Sequence, residues 1–457
     1  MAFRSVIIQL LIFAMICSTA RAAYDQNVTW SDMSSLDLRP VLKSQYASEN
    51  NLLDPSFQDS ALSLVLDDVD HHIINQGFRV PKELRESVSF WLKIYSEYTT
   101  QHWVLFDSKH PSKIYEVLDF RELAKKSRSQ VVYEILRKRK IKKTIAAYRA
   151  AFRSLIKNPH PRHPSREEAR IIGPLPNVSR SKDYAEMNRT MRSQTGQRDN
   201  IIKGLVAGET YFSKMEGLFL KMGLPVELTR LSLVESSFDL DSRSRAGAAG
   251  VWQFMRKSGK EYLLIDEQHQ IDERISPLKA TVAAGKLLKR NHAALRDWAL
   301  AVTAYNHGVR GLPRSANSQD RRKIWKLLSP GNTTLGFASR NYYAEFLAVL
   351  HAESYRKMLY GDPPVVNDHV KFTQFVKIDK PILAADFSKE KGISLQEFRL
   401  LNPDIQNINH TIPPGLWIAL PARNDDLNGL TTTQVTQRRH TRGTRKAAIA
   451  ASGKHSA

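Results

Sequence analysis

Glu235 is a carboxylate at a position where a helix's pattern calls for a hydrophobe. Over Gly223–Asp239 a period of about 3.6 residues puts Leu224, Leu228, Leu231 and Val234 along one stripe, and Glu235 falls inside it. An acid on a core-facing stripe loses solvent, and desolvation raises a carboxyl pKa. Such a group holds a proton near neutral pH and is suited to hand it to a leaving oxygen. Ser236 follows directly, and its hydroxyl either bonds nearby backbone or the carboxyl, or caps the helix end. Gly247-Ala-Ala-Gly250-Val-Trp252-Gln253-Phe254 is a small-residue turn leading into an aromatic and an amide, which permits close approach of backbone to a sugar chain. Trp252 has two readings, a core residue or a stacking platform. Tyr305-Asn306 ends a helix just before Gly308, so both side chains are candidates for the rim of a cleft, and Tyr305 reads equally well as half-buried core. Asp239 is a second carboxylate four residues on, but with the helix ending near Ser236 it reads as a cap or loop anchor.

Helices must hold these groups. The periodicity predicts helices over about Tyr184–Met222, Val226–Ser236, Ser276–His292, Leu295–His307 and Arg340–Ala352. Upstream, from about Ser60 to Lys157, the patterns are again helical. Over Glu83–Phe106 the residues Val88, Trp91, Leu92, Tyr95 and Tyr98 recur at helical spacing, and Gln130–Lys157 carries a run of cations around Arg137–Lys143. That cationic run reads as a solvated helix face or as a contact for anionic polymer. Asn158-Pro-His-Pro-Arg-His-Pro164 breaks the pattern, because closely spaced prolines cannot continue a helix. His160 and His163 lie there without the acids or cysteines that would complete a metal site, so no metal or other cofactor is expected. After Gly361-Asp-Pro-Pro364 a strand (Phe372–Ile378), two short helices (Ile382–Glu390, Leu395–Leu401) and a closing strand (Leu416–Pro421) are predicted.

The chain opens as an export signal: Arg4, an apolar core from Val6 to Cys17, and Ala20-Arg21-Ala22 as cleavage site. No later run approaches the roughly 20 apolar residues needed to cross a bilayer, so a periplasmic or envelope protein without a membrane span is expected. Cys17 is the only cysteine among 457 residues, which excludes a disulfide framework; lipid anchoring at Cys17 is disfavoured because Met15 and Ile16 are not small. The formal charge is +22, and loss of Arg4 and Arg21 leaves +20. Outside the cytoplasm the expected counterpart is an anionic envelope polymer rather than nucleic acid. The expected organisation is a signal peptide (1–22), a flexible lead-in (23–58), an N-terminal helical region (59–157), a Pro-rich linker (158–183), a catalytic domain (184–358), a small module (365–423) and a basic tail (424–457). A monomer is expected.

The combination of motifs resembles the soluble lytic transglycosylase catalytic domain of glycoside hydrolase family 23, within it the membrane-bound lytic murein transglycosylase D group. The matching segments are Val234-Glu235-Ser236-Ser-Phe-Asp239, Ala249–Phe254, Asp272-Glu-Arg274, Ala301–Gly308 and Arg340-Asn341-Tyr342, with Gly196-Gln-Arg-Asp199 ahead of them. The last module resembles a lysin-motif (LysM) domain through Gly392-Ile-Ser394, Leu401-Asn402-Pro403 and Trp417–Pro421, and departs from it at Val376-Lys-Ile-Asp379.

The resemblance implies a mainly α protein with a lysozyme-like catalytic domain and a small α+β LysM-like module. It implies an enzyme that cleaves the β-1,4 bond between N-acetylmuramic acid and N-acetylglucosamine in peptidoglycan strands and leaves 1,6-anhydromuramic ends. Glu235 would be catalytic, and Ser236, Gly250, Trp252, Gln253, Phe254, Tyr305, Asn306 and Tyr342 would contact the glycan. Asp272 and Arg274 would form a structural pair holding the cleft wall. The alternatives are a muramidase that uses water, and an inactive wall-binding scaffold.

Overall fold

A computed structural model describes residues 65–66, 75–173, 180–314, 318–361 and 372–421. The expected signal peptide, Cys17, the lead-in and the basic tail lie outside the described residues. The described chain falls into two compact units, one made of residues up to 263 together with 277–361, the other of 264–276 and 372–421. Helix dominates, as expected. Among the described residues no helix is long and apolar enough to cross a membrane.

In the larger unit, helix α1 (Arg85–Ser96) buries Val88, Trp91, Leu92 and Tyr95 on one side. The predicted helix over Glu83–Phe106 is therefore shorter than expected: the chain turns after Ser96 and becomes strand β1 (His102–Asp107), paired antiparallel with β2 (Ile114–Asp119). The residues Trp103-Val-Leu-Phe106 are all buried, and an apolar run enclosed on both faces carries no period to separate strand from helix. Helices α2 (Arg121–Lys126) and α3 (Gln130–Lys157) follow. Ser129 caps α3 by accepting the Val132 N–H, and Tyr148, Phe152 and Leu155 pack into a core with Tyr115, Phe120, Ile171 and Tyr184.

The expected linker holds helix α4 (Arg166–Ile172), started by a reciprocal Ser165–Glu168 capping box, and α4 packs on α3. The helix predicted over Tyr184–Met222 is three elements: α5 (Ser181–Thr190), strand β3 (Met191–Thr195) and α6 (Arg198–Lys221). Strand β3 adds to the free side of β1, giving the order β2-β1-β3, and a local pattern cannot report such a long-range pairing. Gly196 ends β3 where a Cβ would lie 2.2 Å from the Tyr98 carbonyl oxygen. Asp199 then accepts from the Thr100 N–H (2.8 Å) and hydroxyl (2.6 Å), fixing the start of α6 to the turn before β1.

The site is framed by α6, a 3-10 turn (Val226–Arg230), α7 (Leu231–Ser236), α8 (Arg256–Gly259), α9 (Pro277–Leu295), α10 (Trp298–His307), α11 (Ser318–Leu328), α12 (Phe337–Ser354) and α13 (Arg356–Tyr360). Helix α12 is buried along most of its length and packs against α1, α7 and α10. Trp91 of α1 donates its indole N–H to Asn341 of α12 at 3.1 Å.

In the smaller unit, β6 (Phe372–Lys377) pairs antiparallel with β9 (Trp417–Pro421), and β7 (Ile382–Leu383) with β8 (Thr411–Ile412). Helices α14 (Ala384–Lys391) and α15 (Leu395–Leu401) lie between them in sequence. The Asn402 amide accepts from Ala419 N–H (2.7 Å) and donates to its carbonyl (3.0 Å), completing a strand-like pair between a side chain and β9. The unit also takes in the hairpin β4 (Ile265–Asp266) and β5 (Ile271–Asp272), which departs from the expected 365–423 module. Ile271 joins the apolar core of Ile378, Phe387, Phe398, Ile405 and Ile418. Asp272 N–H donates to the Asp404 carbonyl at 2.9 Å, and Gln406 N–H to that of Gln270 at 3.0 Å. Asp272 and Arg274 form the expected pair, with two contacts of 2.9 and 2.7 Å.

Candidate active site

Glu235 occupies the last turn of α7. The helix stops there because Ser237 and Phe238 take positive φ values of 53° and 56°, and their N–H groups close back on the Leu233 (2.8 Å) and Ser232 (3.2 Å) carbonyls. Left-handed backbone is costly for residues with side chains. Burial of the Phe238 ring against Tyr211 and Phe212 offsets that cost. Helix α6 runs so close to this turn that a Cβ on Gly204 would lie 2.0 Å from the Ser237 carbonyl oxygen.

The 3-10 turn leading into α7 is anchored by Arg230. Its guanidinium meets Glu216 at 2.7 Å, grips Glu353 of α12 through two bonds of 2.7 and 2.8 Å, and lies 4.0 Å from the centre of the Phe212 ring. An arginine fork is suited to such bidentate pairing. Helices α6, α7 and α12 therefore converge on one buried cation.

The Glu235 side chain is mostly enclosed yet keeps some exposure, as a proton donor to an external molecule must. Burial pushes its pKa up to about 7, against the lowering effect of a hydrogen bond donated by the Tyr342 hydroxyl. Tyr342 and Tyr305 are themselves held well above the ordinary phenol range by burial and by the neighbouring Glu235 charge. Near neutral pH the site thus presents a carboxyl able to hold its proton beside two neutral phenols.

The turn at 250–254 is tied to both flanking helices. Ser236 Oγ donates to the Val251 carbonyl (3.2 Å) as well as to Ser232 within its helix (3.3 Å), and the Tyr305 hydroxyl donates to the Trp252 carbonyl at 2.9 Å. Gly250, at φ 73°, accepts the Gln253 side-chain amide at 2.9 Å, and Gln253 itself has φ 45°. Three expected sugar contacts are corrected, Trp252, Phe254 and Tyr342, the last being 4 % exposed with its hydroxyl given to Glu235. The Trp252 side chain is completely enclosed, stacked on Phe219 and donating its indole N–H to Thr281 at 2.9 Å. Phe254 is 3 % exposed and sets its ring edge against Tyr305. Trp252 and Phe254 hold the turn from beneath. Asn306 lies at the exposed end of α10, where its Oδ1 accepts from Ser339 of α12 at 2.9 Å. Asp239 is exposed and accepts the Asp241 N–H at 3.2 Å, the behaviour of a loop anchor.

Sequence reasoning passed over Glu345. It lies one turn beyond Tyr342 on α12, hydrogen-bonds the Tyr95 hydroxyl of α1, and is pushed up to about 8 by burial and then by the charge of Glu235. Tyr95 is held in turn by the Tyr360 hydroxyl, which donates to its carbonyl at 3.0 Å. The signal was present: Glu345 is an acid inside the apolar run Tyr342–Leu350, as Glu235 is inside its own stripe.

Residues 220–328 match the family model described as the transglycosylase SLT domain. The chain is also 26 % identical over 223 residues to proteins named membrane-bound lytic murein transglycosylase D from Escherichia coli strain K12 and from Escherichia coli O6:H1 strain CFT073. The match covers 48 % of this chain and 48 % of each relative, so the chain spans about half the length of the curated relatives it matches. Glu235, the 250–254 turn and Tyr305 all lie inside the stretch of this mainly helical chain that matches the transglycosylase SLT domain, and the chain is similar over about half its length to the lytic murein transglycosylase D proteins.

Proposed function

We propose that the chain is an exported peptidoglycan lytic transglycosylase that cleaves the β-1,4 bond between N-acetylmuramic acid and N-acetylglucosamine. The observation that carries this reading is a single carboxyl, Glu235, poised near neutrality at the heart of an SLT domain. Protonated Glu235 gives its proton to the glycosidic oxygen as the bond from C1 to that oxygen breaks. The muramic N-acetyl group stabilises the positive charge at C1 in the manner of substrate-assisted glycosidases. The Glu235 carboxylate then takes the proton of the muramic C6 hydroxyl, whose oxygen closes on C1 to form the 1,6-anhydro ring. The enzyme ends in its starting protonation state, and no water is consumed.

Tyr342 orients the carboxyl through its hydrogen bond. Ser236 and Tyr305 hold the 250–254 turn in register with it. Gln253 and Asn306 orient the sugar, where small misplacements cost large factors in rate. The LysM-like unit adds grip on the wall.

The test is digestion of purified sacculi by the wild type and by Glu235→Gln, with products separated by mass. The expected result is muropeptides with anhydro ends from the wild type and none from the variant, whose fold and wall binding persist. Products heavier by one water would assign hydrolysis instead, and full activity in the variant would remove Glu235 from the chemistry.

A further inference from the structure

The first half of α3 is an exposed surface that the catalytic reading does not use. Its buried side is carried by Tyr133 and, further along, Tyr148, Phe152 and Leu155. On the other side, Val131 is 68 % exposed, Val132 43 %, Ile135 60 % and Leu136 39 %. Their spacings of one, three and four residues make them one contiguous patch on two turns of helix. Branched apolar side chains this open to water are unfavourable in isolation.

Cations follow on the same side. Val131, Ile135, Arg139 and Lys143 form a single row at intervals of four, with Lys138 and Lys142 beside it, and all four cations are exposed. The one acid between Gln130 and Lys143 is Glu134, which is already paired with Arg137 at 3.7 Å. At a rise of about 1.5 Å per residue, the cationic centre lies roughly 10 Å along the helix from the apolar centre.

We propose that this end of α3 docks on an anionic phospholipid surface, with the Val131–Leu136 patch entering the headgroup–acyl boundary and the Lys138–Lys143 cations meeting lipid phosphates. Charge decides against the other occupants. A second copy would bring one cationic row against another, in a chain of formal charge +22. A purely ionic polymer gives the exposed valines and isoleucine nothing to bury against. An anionic bilayer satisfies both halves. The docking is independent of the chemistry at Glu235 and stands or falls separately from it.

The experiment is co-sedimentation of the full chain with two kinds of vesicle, one of phosphatidylcholine alone and one in which about a third of the lipid is phosphatidylglycerol. Binding is expected to the anionic vesicles only, and to weaken with salt. V131S/I135S and K142E/K143E should each weaken it at least tenfold, from the lost apolar burial in one case and about five-fold or more per reversed charge in the other. All these side chains are exposed, so thermal unfolding and cleavage of soluble glycan should be unchanged. Vesicle binding that survives both variants would overturn the proposal and place lipid affinity elsewhere in the chain. So would vesicle binding absent in the wild type, whether the variants lose sacculus binding, pointing to wall polymer, or lose self-association, pointing to a second copy.

Discussion

At the scale of the residue, burial raises both Glu235 and Glu345, and the charge of Glu235 raises Glu345 further. Both folded-state values, about 7 and about 8, lie above the ordinary glutamic acid value of 4.5. Cleavage that needs protonated Glu235 should therefore decline as pH rises through about 7, and kcat/KM against pH reads this directly. Linkage gives a second readout. A carboxyl whose pKa is raised on folding binds its proton more tightly in the native state, so native stability is full below about 4.5 and is lost as pH rises toward 8. Glu345→Gln should therefore stabilise the protein near pH 9 by up to about 4–5 kcal/mol and have little effect near pH 4. Equal unfolding midpoints at the alkaline end would contradict the burial of this proton.

At the scale of the element, the position of Glu235 depends on a short helix held from two directions. Gly204→Ala forces a methyl into the Ser237 carbonyl and should destabilise the protein by roughly 2–3 kcal/mol, with cleavage falling further than the unfolded fraction explains because α7 is displaced. Arg230→Met leaves Glu216 and Glu353 facing each other without their cation and should cost about 3–5 kcal/mol, measured by denaturant unfolding. Stability within a few tenths of the wild type would show that α7 does not need this anchor. The elements also show what was legible beforehand. Helices α7, α9, α10 and α12 were expected from apolar residues recurring at helical spacing, with Gly308 as a clear terminal signal after α10. The three-stranded sheet was not, since β1 is buried on both faces and β3 is a strand only because β1 is there to pair with it. At the site, Glu235 stood out as a polar group where an apolar one was due, Tyr305 through its place at a helix end before Gly308, and Tyr342 through the family resemblance alone. Trp252 and Phe254 were assigned to the sugar because a motif shows which residues matter without showing which way they point.

At the scale of the whole molecule, the chain leaves its larger unit at Leu263 and returns at Pro277, having built the intervening hairpin into the small unit. Deleting residues 362–457 removes the Asp404 and Gln406 partners of that hairpin and the core around Ile271. The deletion should lower the unfolding temperature and open 264–276 to proteases, besides weakening sacculus binding. An unchanged unfolding temperature with only wall affinity lost would make the small unit a detachable binder, as its position in sequence first suggests. The central claim is that one carboxyl moves a proton twice and that water takes no part. Digestion of intact peptidoglycan in water enriched in heavy oxygen, followed by mass spectrometry of the new glycan ends, tests it most directly. Anhydro ends free of the label are the expected result, and ends that carry it would contradict the account.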